Sequence, residues 1–170
     1  MNTLQRLRDE RARRSDADYL ALVLERSEAE PDNVAVRIEA AYACDRSSRE
    51  LEAIVHYDAA WRLGVPDPEQ ESFLVGYGST LRNVGRTGEA VMLLRNAVAT
   101  HAESAPLKLF LALAYHSAGE NARALATMLD GVLEIARGRP LDGYERALAF
   151  YQRELLAEAD RLEASPPNAG

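Results

Sequence analysis

Gly78, Leu81, Gly85, Ala90, Leu94 and Ala97 recur 34 residues later as Ala112, Tyr115, Gly119, Ala124, Met128 and Gly131. Size recurs as well as polarity: small side chains return to the same places and larger ones to the places between. A chain that repeats its packing surface at this interval is not organised around one common core. Each unit has to lean on its neighbours. Within each unit the apolar positions follow a helical period on both sides of a Gly-containing turn, so the unit is a helix, a turn and a second helix.

The remaining chain can be phased from this pair. Leu4 and Leu7 permit a short, charge-rich helix up to Arg14, with a thin apolar stripe and ends prone to fraying. Ser15 followed by Asp18 starts a helix with Tyr19, Leu20, Val23 and Leu24 on one face, which Pro31 stops. Pro31-Asp32-Asn33 opens a helix over residues 33 to 45 with Val34, Ile38, Ala41 and Tyr42. Residues 49 to 63 carry Leu51, Ile54, Tyr57, Ala60, Trp61 and Leu63, joined to it by the turn Asp45-Arg46-Ser47-Ser48. Gly64 closes that helix and Pro66 prevents its continuation.

Asp67-Pro68-Glu69-Gln70 predicts a helix start, with Asp67 as the cap. This helix runs to about Val84 with Gly76 and Gly78 inside it. Each glycine costs about 0.8 to 1.0 kcal/mol against Ala, which calls for close helix approach. Thr87 is the expected cap of residues 88 to 102, and Ser104 that of the helix ending at Gly119. Residues 121 to 137 follow, and Gly138-Arg139-Pro140 breaks them from a last helix, Leu141 to Glu163. There Tyr144, Leu148, Tyr151 and Leu155 form a stripe suited to packing as a cap. Residues 164–170 read as a disordered tail, residues 1–15 as a basic N-terminal segment, and residues 16–163 as one helical-repeat domain.

The formal net charge of -7 argues against a broad surface for nucleic acid or anionic lipid. The local exception is Arg6, Arg8, Arg11, Arg13 and Arg14, which stand among Asp9 and Glu10. They form a solvated basic end that can pack on acidic neighbours; a nucleic-acid arm would need aromatics for stacking, which this stretch lacks. One cysteine, Cys44, allows no intrachain disulfide and no thiolate cluster. The absence of an 18-residue apolar run or a signal-peptide core makes a cytoplasmic protein the simplest expectation.

The 34-residue helix-turn-helix period resembles the tetratricopeptide repeat, and residues 17 to 157 look like a short bacterial three-repeat member of that family. Small residues sit at the family's packing positions, Gly78 and Ala112 in the first helix of a unit and Ala90, Ala124, Ala97 and Gly131 in the second. The resemblance implies an all-α antiparallel array of about three repeats in a right-handed superhelix, with an N-terminal helical segment and a C-terminal capping helix. In the first unit Ala53, Tyr57 and Ala60 fit the second helix. Placing Tyr42 at the family's aromatic position, however, requires about two extra residues before Ala53.

Members of the family hold an extended or helical peptide in a concave groove lined by the first helix of each unit. Carried over by phase, this implies Val75, Ser79, Arg82 and Asn83 from the second unit and Leu109, Leu113, His116 and Ser117 from the third, with Val36 and Ala43 from the first. Arg82 and Asn83 offer donors and an acceptor to a carboxylate or a peptide backbone. The same two residues could equally pair with a nearby Glu and cap the turn. The carboxylate clamp of chaperone-binding relatives is not reproduced, because Val36, Ala40, Pro106 and Phe110 stand at its polar positions.

His56, His101 and His116 have no zinc-ligand spacing, Cys44 reads as a packed thiol, and the acids Asp67, Glu69 and Glu71 suit a helix start. The expectation is therefore a non-enzymatic protein-interaction module with a protein or peptide partner, without cofactor, metal, nucleic acid or membrane. The alternative is a homo-oligomer that self-associates through its end helices, its groove filled by one of its own termini.

Overall fold

The computed structural model describes residues 3–137, 141 and 144–164, and these contain nine α-helices and no strand. The chain divides into two compact units, Met1–Gly85 and Arg86–Gly170. The expected break at Gly138-Arg139-Pro140 and the tail after Ala164 lie outside the described residues. In the first unit are α1 (Thr3–Arg11), α2 (Asp16–Ala29), α3 (Val34–Arg46), α4 (Glu50–Leu63) and α5 (Asp67–Asn83). Helices α1 and α2 both pack on α3, α3 pairs with α4, and α5 rests on α4 and α3. The second unit holds α6 (Thr87–Thr100), α7 (Ala105–Ser117), α8 (Asn121–Ala136) and α9 (Glu145–Ala164), each packed on the next.

Local chemistry explains the boundaries. The Ser15 hydroxyl accepts from Asp18 N, Asn33 Oδ1 accepts from Ala35 N and Val36 N, and Ser104 accepts from Leu107 N, so α2, α3 and α7 start on side-chain caps as expected. Gly64, Gly85 and Gly119 close α4, α5 and α7 with φ of 89°, 82° and 83°, values that L side chains rarely adopt.

Two expected caps differ. Thr87 is the first helical residue of α6 and makes no cap bond; the guanidinium of Arg86, the residue before it, forks onto Glu89 at 2.7 and 2.6 Å instead. Arg49 and Glu52 do the same at the start of α4. At α5 the cap residue is Pro66, and Asp67 accepts from the Gln70 side chain at 3.0 Å rather than from a backbone N–H.

The helix ends settle the register of the first unit. Ala41, Gly78 and Ala112 each lie five residues before the end of their helix, and Ala53, Ala90 and Ala124 are each fourth in theirs. All six are buried. No residues are inserted inside the first hairpin, so Tyr42 corresponds to Ser79 and not to the family's aromatic position. The offset is 37 residues between the first two units because α5 has 17 residues where α3 and α7 have 13. The additional turn, Asp67 to Gln70, is at its start.

Tyr57 is the centre of the first unit. Its ring stacks on Tyr77 at 5.5 Å and meets Phe73 edge-on at 5.2 Å, and its hydroxyl donates to Asp45 Oδ2 at 2.7 Å. Thr80 donates to the other oxygen of Asp45 at 2.8 Å. Burial pushes the Asp45 carboxyl above its usual range, and the bonds from Tyr57 and Thr80 pull it back in part. The Tyr57 ring fits because Gly76 has no side chain. A Cβ there would overlap the hydroxyl oxygen and stand 3.2 Å from Cζ. Gly131 plays the same part in the second unit, where a Cβ would lie 2.9 Å from Leu109 Cδ2.

The last helix packs differently from the expected cap. Leu148 and Leu155 are half-buried and Ala159 is buried, but Tyr144 and Tyr151 are 68% and 59% exposed. The face of α9 turned inward carries Ala149, Gln152 and Ala159, about a quarter turn from the aromatic edge. In this orientation Arg123 of α8 reaches Glu163 at 2.5 Å and Asp160 at 3.6 Å.

The Tyr57–Gly76 fit generates a prediction. Gly76→Ala gains about 1 kcal/mol in helix propensity yet should destabilise by about 1 to 3 kcal/mol net, because the added methyl meets the phenol. Tyr57→Phe should cost about 1 to 3 kcal/mol by leaving buried Asp45 one donor short. Urea unfolding should show the double variant to be less destabilised than the sum of the two, since removing the oxygen makes room for the methyl. Strict additivity would contradict the contact.

Candidate functional site

In the first unit the first helix of each hairpin contributes to one face. Arg8, Arg11 and Ala12 from the end of α1, Glu39 and Tyr42 from α3, Ser72 from α5 and Asp16 at the start of α2 line a cavity of about 640 Å3. Arg8 builds its wall. Its Nε donates to Glu39 Oε1 at 3.2 Å, and its two terminal nitrogens donate to Glu69 Oε1 and Oε2 at 3.1 and 2.6 Å. These bonds, those to Glu69 foremost, hold the Arg8 charge more firmly than usual. Glu39 is buried, and its other oxygen accepts from the Tyr19 hydroxyl at 2.8 Å. The basic N-terminal stretch is therefore no frayed end: Leu4 and Leu7 are buried, and α1 is tied to α3 and α5.

Glu69 belongs to the additional turn of α5. The residues that break the repeat period thus provide the anchor for α1.

The Tyr42 hydroxyl is buried and has no hydrogen-bond partner. Burial pushes its phenol well above the ordinary range, so it remains an O–H donor at neutral pH. A second cavity in the first unit, about 690 Å3 between α2 and α4, includes Arg37, Arg49, Leu51, Glu52, Val55 and His56. Several of its polar groups are engaged with one another, Arg49 on Glu52 and Arg37 on the Pro31 carbonyl and His56 Nδ1. Burial lowers the His56 pKa, in keeping with a neutral ring that accepts from Arg37.

The residues implied by phase fall in both units. On α5, Val75, Ser79 and Arg82 are half-buried and Asn83 is exposed; the Arg82 Nε is buried without a partner. On α7, Leu113, His116 and Ser117 are exposed, while half-buried Leu109 packs against Gly131. His116 Nδ1 lies 3.0 Å from Asn121 Oδ1 across the turn into α8. Val36 and Ala43, expected to line the groove in the first unit, are buried in helix packing, because the true register places Tyr42 where Ser79 and Leu113 stand in the later units. The recurrence of Ala41, Ala53 and Ala60 as Gly78, Ala90 and Ala97 after 37 residues was the signal that could have found Tyr42. The sequence pattern lets the basic end pack on acidic neighbours without naming Glu39 and Glu69 as the partners of Arg8, and nothing in it points to Ser72.

Cys44 is buried, and burial pushes its thiol up to about 11, as befits a packed side chain. Among the described residues no group of three or more His, Cys, Asp or Glu could hold a metal ion, and no helix is long and apolar enough to cross a membrane.

The Tetratrico peptide repeat family model matches residues 34–155. With its helical hairpins and their phased small residues, the chain belongs to the tetratricopeptide repeat family. Such repeats generally serve as protein–protein interaction modules and are typically non-catalytic. The comparisons with curated proteins and with solved structures return no match.

Arg8→Gln should destabilise the chain by about 1 to 3 kcal/mol, less than the loss of a fully buried pair because Arg8 is part exposed. Arg13→Gln, on the exposed end, should stay within about 0.5 kcal/mol of wild type. Thermal or urea unfolding checks both, and equal effects would contradict the anchoring role of Arg8.

Proposed function

We propose that this chain is a non-enzymatic binding module that holds an extended or helical segment of another protein against the first helices of its hairpins. The observation that supports this most is the cavity on the α1–α3–α5 face, open to solvent, to which three first helices contribute. Ser79, Arg82 and Asn83 continue that face along α5. Leu113, His116 and Ser117 are the corresponding residues of α7.

The second reading is self-association through the last helix, favoured by the exposure of Tyr144, Phe150, Tyr151 and Leu162. One experiment separates the two. A photoreactive benzoyl-phenylalanine placed at Ser72, Ser79, Glu52 or Tyr151 is activated in cells, and the crosslinked species are identified by mass spectrometry. The binding reading expects adducts to a different protein from Ser72 and Ser79 and none from Glu52 on α4. Adducts only between copies of this chain, formed from Tyr151, would replace it with self-association.

A further inference from the structure

Helix α8 has two unlike sides. Arg123, Asp130 and Glu134 share one of them, and all three are ion-paired: Asp130 and Glu134 with Lys108 of α7, Arg123 with Asp160 and Glu163 of α9. Half a turn around the helix stand Leu125, Val132 and Ile135, all exposed, with Met128, Leu129 and Ala136 half-buried among them and no charged residue on that side.

The ion pairs show how α9 lies on α8. They join the start of α8 to the end of α9, so the two helices run antiparallel, and they mark one edge of the seam between them. On α9 the opposite edge carries Tyr144, in its first turn, with Tyr151 and Leu162, all exposed. Those three therefore share one open face with Leu125, Val132 and Ile135. Nine residues on from Arg123 along α8 is Val132, and nine back from Asp160 along α9 is Tyr151, so these two stand level at its middle.

About Tyr151 this face is self-complementary. Seven residues before it is Tyr144, a phenol donor, and seven after it is Glu158, an exposed carboxylate; neither has a hydrogen-bond or ion-pair partner among the described residues. Four residues before it is exposed Ala147, and four after it is half-buried Leu155, small against large. Heptad spacing keeps Tyr144, Tyr151 and Glu158 on one stripe. A second α9 laid antiparallel across Tyr151 brings Tyr144 of each copy onto Glu158 of the other and Leu155 over Ala147. The same axis passes Val132, so the uncharged side of α8 is covered in the same step.

Size agrees with this. The face extends about 25 to 30 Å along the helices and about 20 Å across two of them, on the scale of the roughly 800 Å2 that each partner gives to a stable interface. A helix of an unrelated protein has no reason to match the symmetry about Tyr151, whereas a two-fold dimer requires it.

We infer that a second copy of this chain packs its α8–α9 face on the α8–α9 face of the first, antiparallel about a two-fold axis at Tyr151, with Tyr144 of each copy donating to Glu158 of the other. This rests on the self-association reading of the last helix and adds its geometry. It involves only the second unit, and it stands beside the binding reading, whose cavity belongs to the first.

The test is sedimentation velocity of the full chain over a dilution series across the micromolar range. The expected result is a monomer–dimer equilibrium with a Kd of about micromolar. Tyr151→Arg should weaken the dimer at least about tenfold by setting like charges against each other at the axis. Tyr144→Lys should keep the affinity within about threefold, because the ammonium meets Glu158, whereas Tyr144→Glu should weaken it about tenfold. All three positions of substitution are exposed, and urea unfolding should show each variant folded as wild type.

A monomer at every concentration would overturn the dimer, as would a dimer indifferent to Tyr151→Arg. Equal weakening by Tyr144→Lys and Tyr144→Glu would overturn the antiparallel arrangement, because in a parallel pair Tyr144 meets its own copy. A monomer whose Tyr151 photocrosslinks to a different protein would assign the face to that protein instead. Crosslinks from Ser72 and Ser79 report on the binding reading alone, so the two fail separately.

Discussion

The absence of one side chain governs the first unit. Tyr57 can be buried with its ring against Phe73 and Tyr77 and its hydroxyl on Asp45 only because Gly76 leaves room beside it. The contact joins α3, α4 and α5, since Asp45, Tyr57 and Thr80 come one from each. A glycine inside a helix is unfavourable taken alone, and its cost is offset here by the aromatic packing and the paired carboxylate that it permits. In the second unit Gly131 admits Leu109 in the same way. Beside that contact, Lys108 is buried with its ammonium on Asp130 and Glu134 at 2.9 and 3.0 Å. Burial opposes its charge, but the two carboxylates outweigh that, and its pKa rises.

The break in the period matters as much as the period. Had α5 begun where α3 and α7 do, Glu69 would not exist as part of the helix, and Arg8 would face Glu39 alone. The additional turn turns a pair into a bridge from α1 across α3 to α5. That bridge closes one side of the cavity.

Much of this architecture was legible in the residues. The alternation of small and large positions placed four of the helices, α5 to α8, and Ser15, Asn33 and Ser104 marked starts through a side-chain oxygen at the right distance from a free N–H. Gly64, Gly85 and Gly119 marked ends through a backbone angle that few other residues adopt. What stayed hidden depends on contacts between distant residues. Helices α1 and α2 form a hairpin 34 residues ahead of α3 and α4, but Leu7 and Tyr19 stand where Ala41 and Ala53 follow, so the size pattern is lost. The rotation of α9, which leaves Tyr144 and Tyr151 exposed and brings Asp160 and Glu163 to Arg123, is not encoded in the periodicity. Of the candidate site, the α5 and α7 residues were readable by phase. Tyr42 required the 37-residue register, which the recurrence of Ala41, Ala53 and Ala60 as Gly78, Ala90 and Ala97 carries and the helix ends make plain.

Helix α1 is a fixed wall of the first unit, and the proposed binding face depends on it. Native-state hydrogen exchange at the amides of residues 7–11 measures this most directly, because exchange reports how often a segment opens. Those amides make the intrahelical bonds of α1. If α1 is held by Leu4, Leu7 and the Arg8 bridge, they should exchange at least tenfold more slowly than the same sequence in an unstructured peptide, and binding of a partner peptide should slow them further. Exchange at the free-peptide rate beside a protected α3 would contradict the account, since the cavity would then lack the side that Arg8 and Arg11 provide.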